Sequence, residues 1–230
     1  ETIRIKMPSM TATKADVDPA YNYNAPLEKM LENWNKIYES IINAPVKGFE
    51  LAANVTPVKN GKTWTWSVIV TEGLKTYEVS VEGTVIREQY VDWEVHVSSN
   101  LWKIGNSHDY VWITGRSDLD GSEGSWQIKA GPAFDMVLVN VDWTAKDHSV
   151  QSVRVSYELD QIFHGILAAF NGSYIEYSDT ATSEDYTDTI VTHYNQKGLG
   201  YNDTSVEWND QTCAFRIKSE ADFGDLEWHC

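Results

Sequence analysis

Most of the chain alternates between apolar and polar residues, the pattern of strands with one buried face. Residues 49–55 and 64–70 show it first, and Asn60-Gly61 between them is a strong hairpin signal. Further runs of this kind predict strands over residues 77–85, 91–97, 110–115, 125–130, 137–143, 153–157, 173–177, 189–194, 206–208 and 213–218. Because no crossover helix separates the first eight strands, we expect an antiparallel sheet.

Two segments instead repeat apolar residues at steps of three and four, which predicts amphipathic helices. Residues 26–43 form the stronger one, with Pro26 in its first turn and Pro45 after its end. Residues 160–171 form the weaker one, with Gly172 at its end. The expected fold is mainly β within the α+β class. It is a curled antiparallel meander sheet or half-barrel of about ten to twelve strands, packed on one or two amphipathic helices.

Length and composition favour one folded domain. The 230 residues are 42% hydrophobic and include ten Trp and twelve Tyr, enough for a substantial core. Residues 1–24 are polar and rich in turn formers, so we interpret them as an N-terminal segment preceding a single β-rich domain over residues 25–230.

Two hairpins of the predicted sheet resemble each other. In residues 81–95 and again in residues 113–128, the first strand carries a Gly and the second a Trp flanked by polar residues. Duplication and ordinary hairpin chemistry both explain the likeness, and we favour hairpin chemistry.

The charge of the chain excludes some partners. Its 34 Asp and Glu against 18 Lys and Arg give a formal net charge of −16, which would repel the phosphates of nucleic acids. This acidity is typical of a soluble surface or one adapted to salt, whereas cation capture would need clustered carboxylates.

No apolar run is long enough for a membrane span. Few Lys and abundant Trp, Tyr, Ser and Thr favour an extracytoplasmic location, in the periplasm or at the cell surface. Residues 1–24 would suit a tether from a lipid-modified terminus upstream.

Motifs for catalysis and cofactors are absent from the sequence. The six His never occur three or four apart, and no phosphate-binding loop, nucleophile elbow or dinucleotide fingerprint is present. We therefore predict no catalytic residue and no cofactor, and we interpret His96 as an outward strand position. The acidic run Asp118, Asp120 and Glu123 beside a Gly is either a short calcium loop or a solvated hairpin turn, and the turn is favoured.

The Trp residues are the remaining signal for a ligand. Trp93 and Trp126 share the register of Val and Ile, so they either pack in the core or line an open face that holds a flat apolar ligand or a glycan ring. Trp102 and Trp112 have less regular surroundings and are the better candidates for exposure.

Cys213 and Cys230 would form a disulfide in an oxidising compartment, or remain two unpaired thiols.

The order of elements and the composition resemble uncharacterised secreted bacterial β-meander lipoproteins and, more distantly, the half-barrel lipoprotein carriers of the periplasm. The resemblance covers most of the chain, contains no specific motif and carries over no functional residue. The large aromatic complement, the expected curled sheet and the missing catalytic motifs predict a non-enzymatic ligand-binding or carrier protein for a hydrophobic or carbohydrate molecule. The alternatives are a glycan-active hydrolase or lyase on a β scaffold, and a structural or adhesive cell-surface protein. The sequence makes no prediction of an oligomeric state.

Overall fold

A computed structural model describes residues 51–52, 54–72, 75–99, 109–132, 134–147, 149–158, 171–179, 185–196, 200–209, 211–212, 214–219 and 226–228. The chain comprises two compact units, Glu1–Thr56 and Pro57–Cys230. All strands described below belong to the second unit.

Thirteen strands form one antiparallel sheet in which each strand pairs with its neighbours in sequence. The strands are β1 (Val58–Asn60), β2 (Thr63–Glu72), β3 (Lys75–Ile86), β4 (Tyr90–Ser99), β5 (Tyr110–Asp118), β6 (Glu123–Gly131), β7 (Phe134–Lys146), β8 (Ser149–Tyr157), β9 (Tyr174–Ser178), β10 (Asp188–Gln196), β11 (Gly200–Asn209), β12 (Ala214–Ser219) and β13 (Leu226–Trp228). Within the described strands β1 pairs only with β2 and β13 only with β12, so the sheet is not closed.

The meander follows from short turns that antiparallel strands can use. Gly61 has a φ of +61°, in the left-handed region, and connects β1 to β2 at the predicted Asn60-Gly61 turn. Arg87 and Glu88 also take positive φ, of 50° and 58°, between β3 and β4. Local turn chemistry therefore sets the order of the strands.

The register places the alternating apolar residues of successive strands on one face, here called the apolar face. Val79 pairs with Val97 and Val81 with Val95 across β3 and β4, and the pattern continues to the far strands. The best-buried side chains of this face are Val81, Val95, Val97, Ile113, Ile128, Val139, Val155, Ile190, Val206 and Trp208. Their neighbours in each strand lie on the opposite, polar face.

The antiparallel meander predicted from the sequence is confirmed, and the described residues form thirteen strands instead of ten to twelve. The strand at residues 226–228 is too short to give a periodic pattern and was not predicted. The helix predicted for residues 26–43 lies outside the described residues, as do residues 160–170 of the helix predicted for residues 160–171, and Asn171 at its predicted end lies in a turn. No described helix has the length and apolar character needed to cross a bilayer.

The strand predicted for residues 49–55 is wrong in its described part. Leu51 and Ala52 are helical, and the amides of Asn54 and Val55 donate to their carbonyls at 3.2 and 3.0 Å. Leu and Ala are strong helix formers, and a run of four alternating residues is too short to override that preference. The first strand of the hairpin is therefore the three-residue β1.

Candidate functional site: a groove on the polar face

Two of the predicted ligand-binding residues lie together on the apolar face. The ring centroids of Trp66 and Trp93 are 6.0 Å apart, and those of Trp93 and Trp126 are 6.1 Å apart. We call these three half-buried side chains the tryptophan strip. The indole N–H of Trp93 donates to the hydroxyl of Ser117 at 2.9 Å, which satisfies the one polar group of that ring.

The tryptophan strip requires glycine on the neighbouring strands. Gly83 pairs with Trp93, and a Cβ added at Gly83 would lie 2.8 Å from Trp93 Cζ3. Gly115 pairs with Trp126 in the same way, and its Cβ would lie 2.3 Å from Trp126 Cε3. Each indole therefore covers the backbone of its partner glycine. The likeness of the two hairpins thus has a packing reason.

Trp112 is placed by an irregularity of β5. Val95 pairs with Ile113 but His96 pairs with Val111, so Trp112 is the extra residue of a β-bulge. Its indole N–H donates to the carbonyl of Lys129 at 2.9 Å, at a point where the β6–β7 register also shifts. The structure thus gives Trp112 a role in the sheet, and its predicted ligand contact stays a prediction. Trp102 lies outside the described residues.

On the polar face, one line of cross-strand partners runs through six strands. Its members are Asp92, Arg116, Ser125, Asp142, Arg154 and Glu176, and each pairs with the next. We call this line the charged row. Neighbouring strands are about 4.8 Å apart, so these side chains stand close enough to interact.

A groove of about 430 Å³ lies over the centre of the charged row. That volume is in the range of small-molecule sites, roughly 300–1,000 Å³. Ser125, Thr144 and Ser152 are short side chains in its lining, whereas Arg116 and Arg154 are long ones. The groove arises because small side chains separate the two arginines along the row.

The first wall of the groove is Arg116 with its partners. Its Nε and Nη2 donate to the two carboxylate oxygens of Asp92 at 2.6 and 3.0 Å, and its guanidinium lies 4.0 Å from the ring centre of Tyr90. The hydrogen bond to Asp92 raises the pKa of Arg116. A bidentate pair that also stacks on an aromatic ring fixes the guanidinium plane.

The second wall is Arg154, which is held in a similar way. Its Nη1 donates to Glu176 at 3.4 Å, and its guanidinium lies 3.9 Å from the ring centre of Tyr174. Tyr174 in turn stacks on His193 with centroids 4.9 Å apart, and His193 is paired with Asp203. Stacked planar groups thus support this side of the groove over four strands, β8 to β11.

Asp142 lies between the two walls and is not used by either of them. It is exposed, and its side chain makes no hydrogen bond or ion pair with the described residues. Its cross-strand partners are Ser125 and Arg154, and Arg154 is directed to Glu176. A carboxylate with free acceptor positions therefore remains in the groove.

Comparison of the chain with protein-family models, with curated proteins and with solved structures finds no match. The assignment of a function therefore rests on the geometry of the described residues.

The predicted acidic turn adjoins the groove. Asp118 and Glu123 line it, and both lie in strands, whereas Asp120 lies in the turn between β5 and β6. Ser122 donates its amide to Asp120 Oδ1 at 3.0 Å and its hydroxyl to Asp118 Oδ2 at 3.3 Å. The hydrogen bonds from Ser122 lower the pKa of Asp120. These bonds account for the acidic residues as turn formers, and calcium binding there stays a prediction.

The sequence analysis missed the central residues of the groove, which are Arg116, Asp142, Arg154 and Glu176. Asp142, Arg154 and Glu176 stand at polar positions of predicted alternating runs, so their outward direction could be predicted. Arg116 follows the strand predicted for residues 110–115, and the structure extends that strand to Asp118. Their convergence depends on the pairing of five successive strands, so it could not be predicted from the sequence. Cys213 and Cys230 lie outside the described residues, and their pairing stays a prediction.

Proposed function

We propose that the protein binds a carbohydrate in the groove of the polar face and does not transform it, as a binding or carrier protein outside the cytoplasm. The observation that carries this proposal is the uncommitted carboxylate of Asp142 between two arginines that each pair with another carboxylate and lie over a tyrosine ring. Sugar hydroxyls both donate and accept, so they suit a site that offers a carboxylate acceptor beside guanidinium and hydroxyl donors.

The charges of the groove favour a neutral ligand over an anion. Arg116 is neutralised by Asp92 and Arg154 by Glu176, while Asp142 adds a negative charge between them. An anionic ligand would meet that carboxylate with no uncommitted cation beside it in the described lining. Neutral polyols avoid this repulsion because they need directed hydrogen bonds only.

For the pair of carboxylates formed by Asp142 and Glu176, binding is favoured over hydrolysis by the side chain that lies between them. Asp142 and Glu176 are two strands apart, which separates their backbones by roughly 10 Å. Glycosidases place an acid and a base at comparable separations with an open space between them. Here Arg154 stands between the two and pairs with Glu176, so the space for the reacting bond is occupied.

The second candidate is binding of a hydrophobic molecule on the tryptophan strip. Its support is that the three indoles are only half-buried, although the valines beside them, such as Val95 at 0% exposure, are fully buried. We retain within this proposal the predicted packing of the sheet on one or two amphipathic helices.

The test is a glycan panel scored for binding and for cleavage, followed by calorimetry on each hit. Asp142→Asn keeps the shape of the side chain and removes its charge, so we expect affinity for the bound glycan to fall at least about tenfold, which corresponds to about 1.4 kcal/mol. Glu78→Gln is the matched control. It removes one exposed carboxylate from the same face, outside the groove.

The outcomes separate the alternatives. Binding that Asp142→Asn weakens and Glu78→Gln does not would support the proposal. Release of shortened or unsaturated sugars would support a hydrolase or lyase and refute the non-enzymatic part. Native mass spectrometry of the purified chain is the second measurement, and it shows whether a small molecule stays bound. A panel without hits, together with a bound lipid in that spectrum, would support the tryptophan strip instead. A panel without hits and a ligand-free mass would favour a structural or adhesive protein.

A further inference from the structure

A second cluster on the polar face combines a histidine with two glutamates. Glu82 of β3 and Glu94 of β4 are direct cross-strand partners, and His96 follows two residues later on the same face of β4. One ligand atom from each, a carboxylate oxygen or an imidazole nitrogen, lies within 4.8 Å of the others. Among the described residues, these are the three His, Cys, Asp or Glu side chains that meet in this way.

The imidazole of His96 is held by a fourth residue. Its Nδ1 donates to Asp109 Oδ1 at 2.8 Å, and the amide of Asp109 donates to the hydroxyl of Ser98 at 2.8 Å. The side chain is only 14% exposed, so the ring is fixed by packing as well as by this bond. With Nδ1 engaged, Nε2 is the nitrogen that faces the glutamates, and it lies 3.2 Å from Glu94 Oε2.

This arrangement brings negative charge together at close range. Like charges directly opposite each other on paired strands destabilise a sheet, and the chain already carries a net charge of −16. When Nδ1 carries the proton of a neutral imidazole, Nε2 presents a lone pair to the Glu94 carboxylate. A cation bound between the three side chains removes that repulsion.

We propose that Glu82, Glu94 and His96 bind a divalent transition-metal cation of the zinc type, with Asp109 as the residue that positions His96. An imidazole nitrogen with two carboxylate oxygens suits zinc and its neighbours, whereas calcium and magnesium prefer all-oxygen sites. Metal-bound histidines commonly donate their other ring N–H to a carboxylate, which is the geometry of His96 and Asp109. Glu94, whose side chain is 52% exposed, is free to close on the ion.

The probe is zinc chloride added to the full chain, followed by calorimetry and by thermal unfolding. We expect one Zn²⁺ per chain and a melting temperature that rises with zinc concentration, because an ion that binds only the folded state stabilises it. Since cysteine thiolates are good zinc ligands in general, the measurement is repeated in a chain carrying Cys213→Ser and Cys230→Ser. Zinc binding in this background must persist.

The variants locate the ion. His96→Gln, Glu82→Gln and Glu94→Gln should each lower the affinity for zinc at least tenfold, and Asp109→Asn should lower it by roughly 10- to 100-fold through the orientation of His96. His193→Gln is the matched control, because His193 also has a carboxylate partner but lies outside the cluster. Without zinc, the glutamate variants should fold and melt no lower than the unsubstituted chain, because each removes a like-charge pair.

Three results of the zinc and calcium titrations would overturn the proposal. The first is zinc binding weaker than about 100 μM in the unsubstituted chain. The second is tight binding that His96→Gln leaves unchanged, and the third is equal affinity for calcium. Cobalt gives an independent readout, since visible absorption bands of a low-symmetry Co²⁺ site should appear in the unsubstituted chain and be lost in His96→Gln. A cobalt spectrum equal to that of the free aqueous ion would also reject the site.

Discussion

Replacing Gly83 with alanine tests whether the tryptophan strip requires glycine. The new Cβ would lie 2.8, 3.1 and 3.2 Å from Cζ3, Cε3 and Cη2 of Trp93, where ordinary contacts are 3.4 Å or longer. All three close atoms belong to one indole, which is a rigid plane. The overlap can be relieved only by displacing Trp93, whose N–H is committed to Ser117.

The expected magnitude has two opposing parts. Overpacking a well-filled site costs about 1–3 kcal/mol. Alanine recovers about 0.5–1 kcal/mol, since glycine in a strand loses more backbone entropy on folding. We therefore expect Gly83→Ala to lower the free energy of unfolding by about 1–2 kcal/mol. For a chain of this size that corresponds to a fall in melting temperature of roughly 2–8 °C.

The assay is urea unfolding followed by tryptophan fluorescence, with the free energy taken from the midpoint at an unchanged slope. The control is a double-mutant cycle with Trp93→Val, which removes the indole and keeps a good strand former. In that background Gly83→Ala should no longer destabilise and should raise stability by about 0.5–1 kcal/mol. Equal losses in both backgrounds, or a stable Gly83→Ala single variant, would refute the packing argument.

Two further predictions concern buried charge. The pKa of Asp179 is raised by burial and by the neighbouring Asp188, so the folded state holds this proton more tightly than the unfolded chain does. Ionisation of Asp179 therefore costs stability above the folded pKa and nothing below the unfolded pKa. In urea unfolding at pH 7, we expect Asp179→Asn to be more stable than the unsubstituted chain. The difference in stability should shrink as the pH falls through the range in which carboxyl groups titrate. A variant that is less stable at pH 7 would contradict this prediction. Glu207, 7% exposed, pairs with Arg216 and Lys218. Arg216→Met should lower the free energy of unfolding by about 1–3 kcal/mol, because Glu207 loses its charge-assisted hydrogen bond to Arg216 but keeps Lys218 as a partner. Adding Glu207→Gln should recover part of that loss, and no recovery would mean that the stem of Arg216, not its charge, stabilises this region.

Most of the fold could be predicted from local sequence patterns. Alternation with a period of two assigns each residue of a strand to one face, and residues such as Asn60 and Gly61 close the hairpins, so the faces and the order of the strands were readable. The prediction failed at residues 51–52 and 54–55, where the run was short and Leu51 and Ala52 also favour helix. A three-residue strand such as β13 is below the length at which a period can be recognised.

Sites on the polar face were only partly readable. The alternation already placed His96 and Asp142 on the polar face. Which side chains lie beside them, however, depends on how the strands pair. Glu82 and Glu94 meet because the β3–β4 hairpin puts them opposite each other, and a hairpin register is close to a local property. The groove instead needs five successive pairings, from Asp92 to Glu176, and an error of one residue in any of them would turn part of the row to the other face.

The sequence by itself determined which side chains leave the core, because the direction of a side chain on a strand depends only on its position in the alternation. The tertiary structure decided which of them become neighbours, because register accumulates along the meander and is shifted by the bulge at Trp112. Asp142 shows the difference: its outward direction is a local fact, and its place between two neutralised arginines is the sum of pairings that span 85 residues of chain, from Asp92 to Glu176.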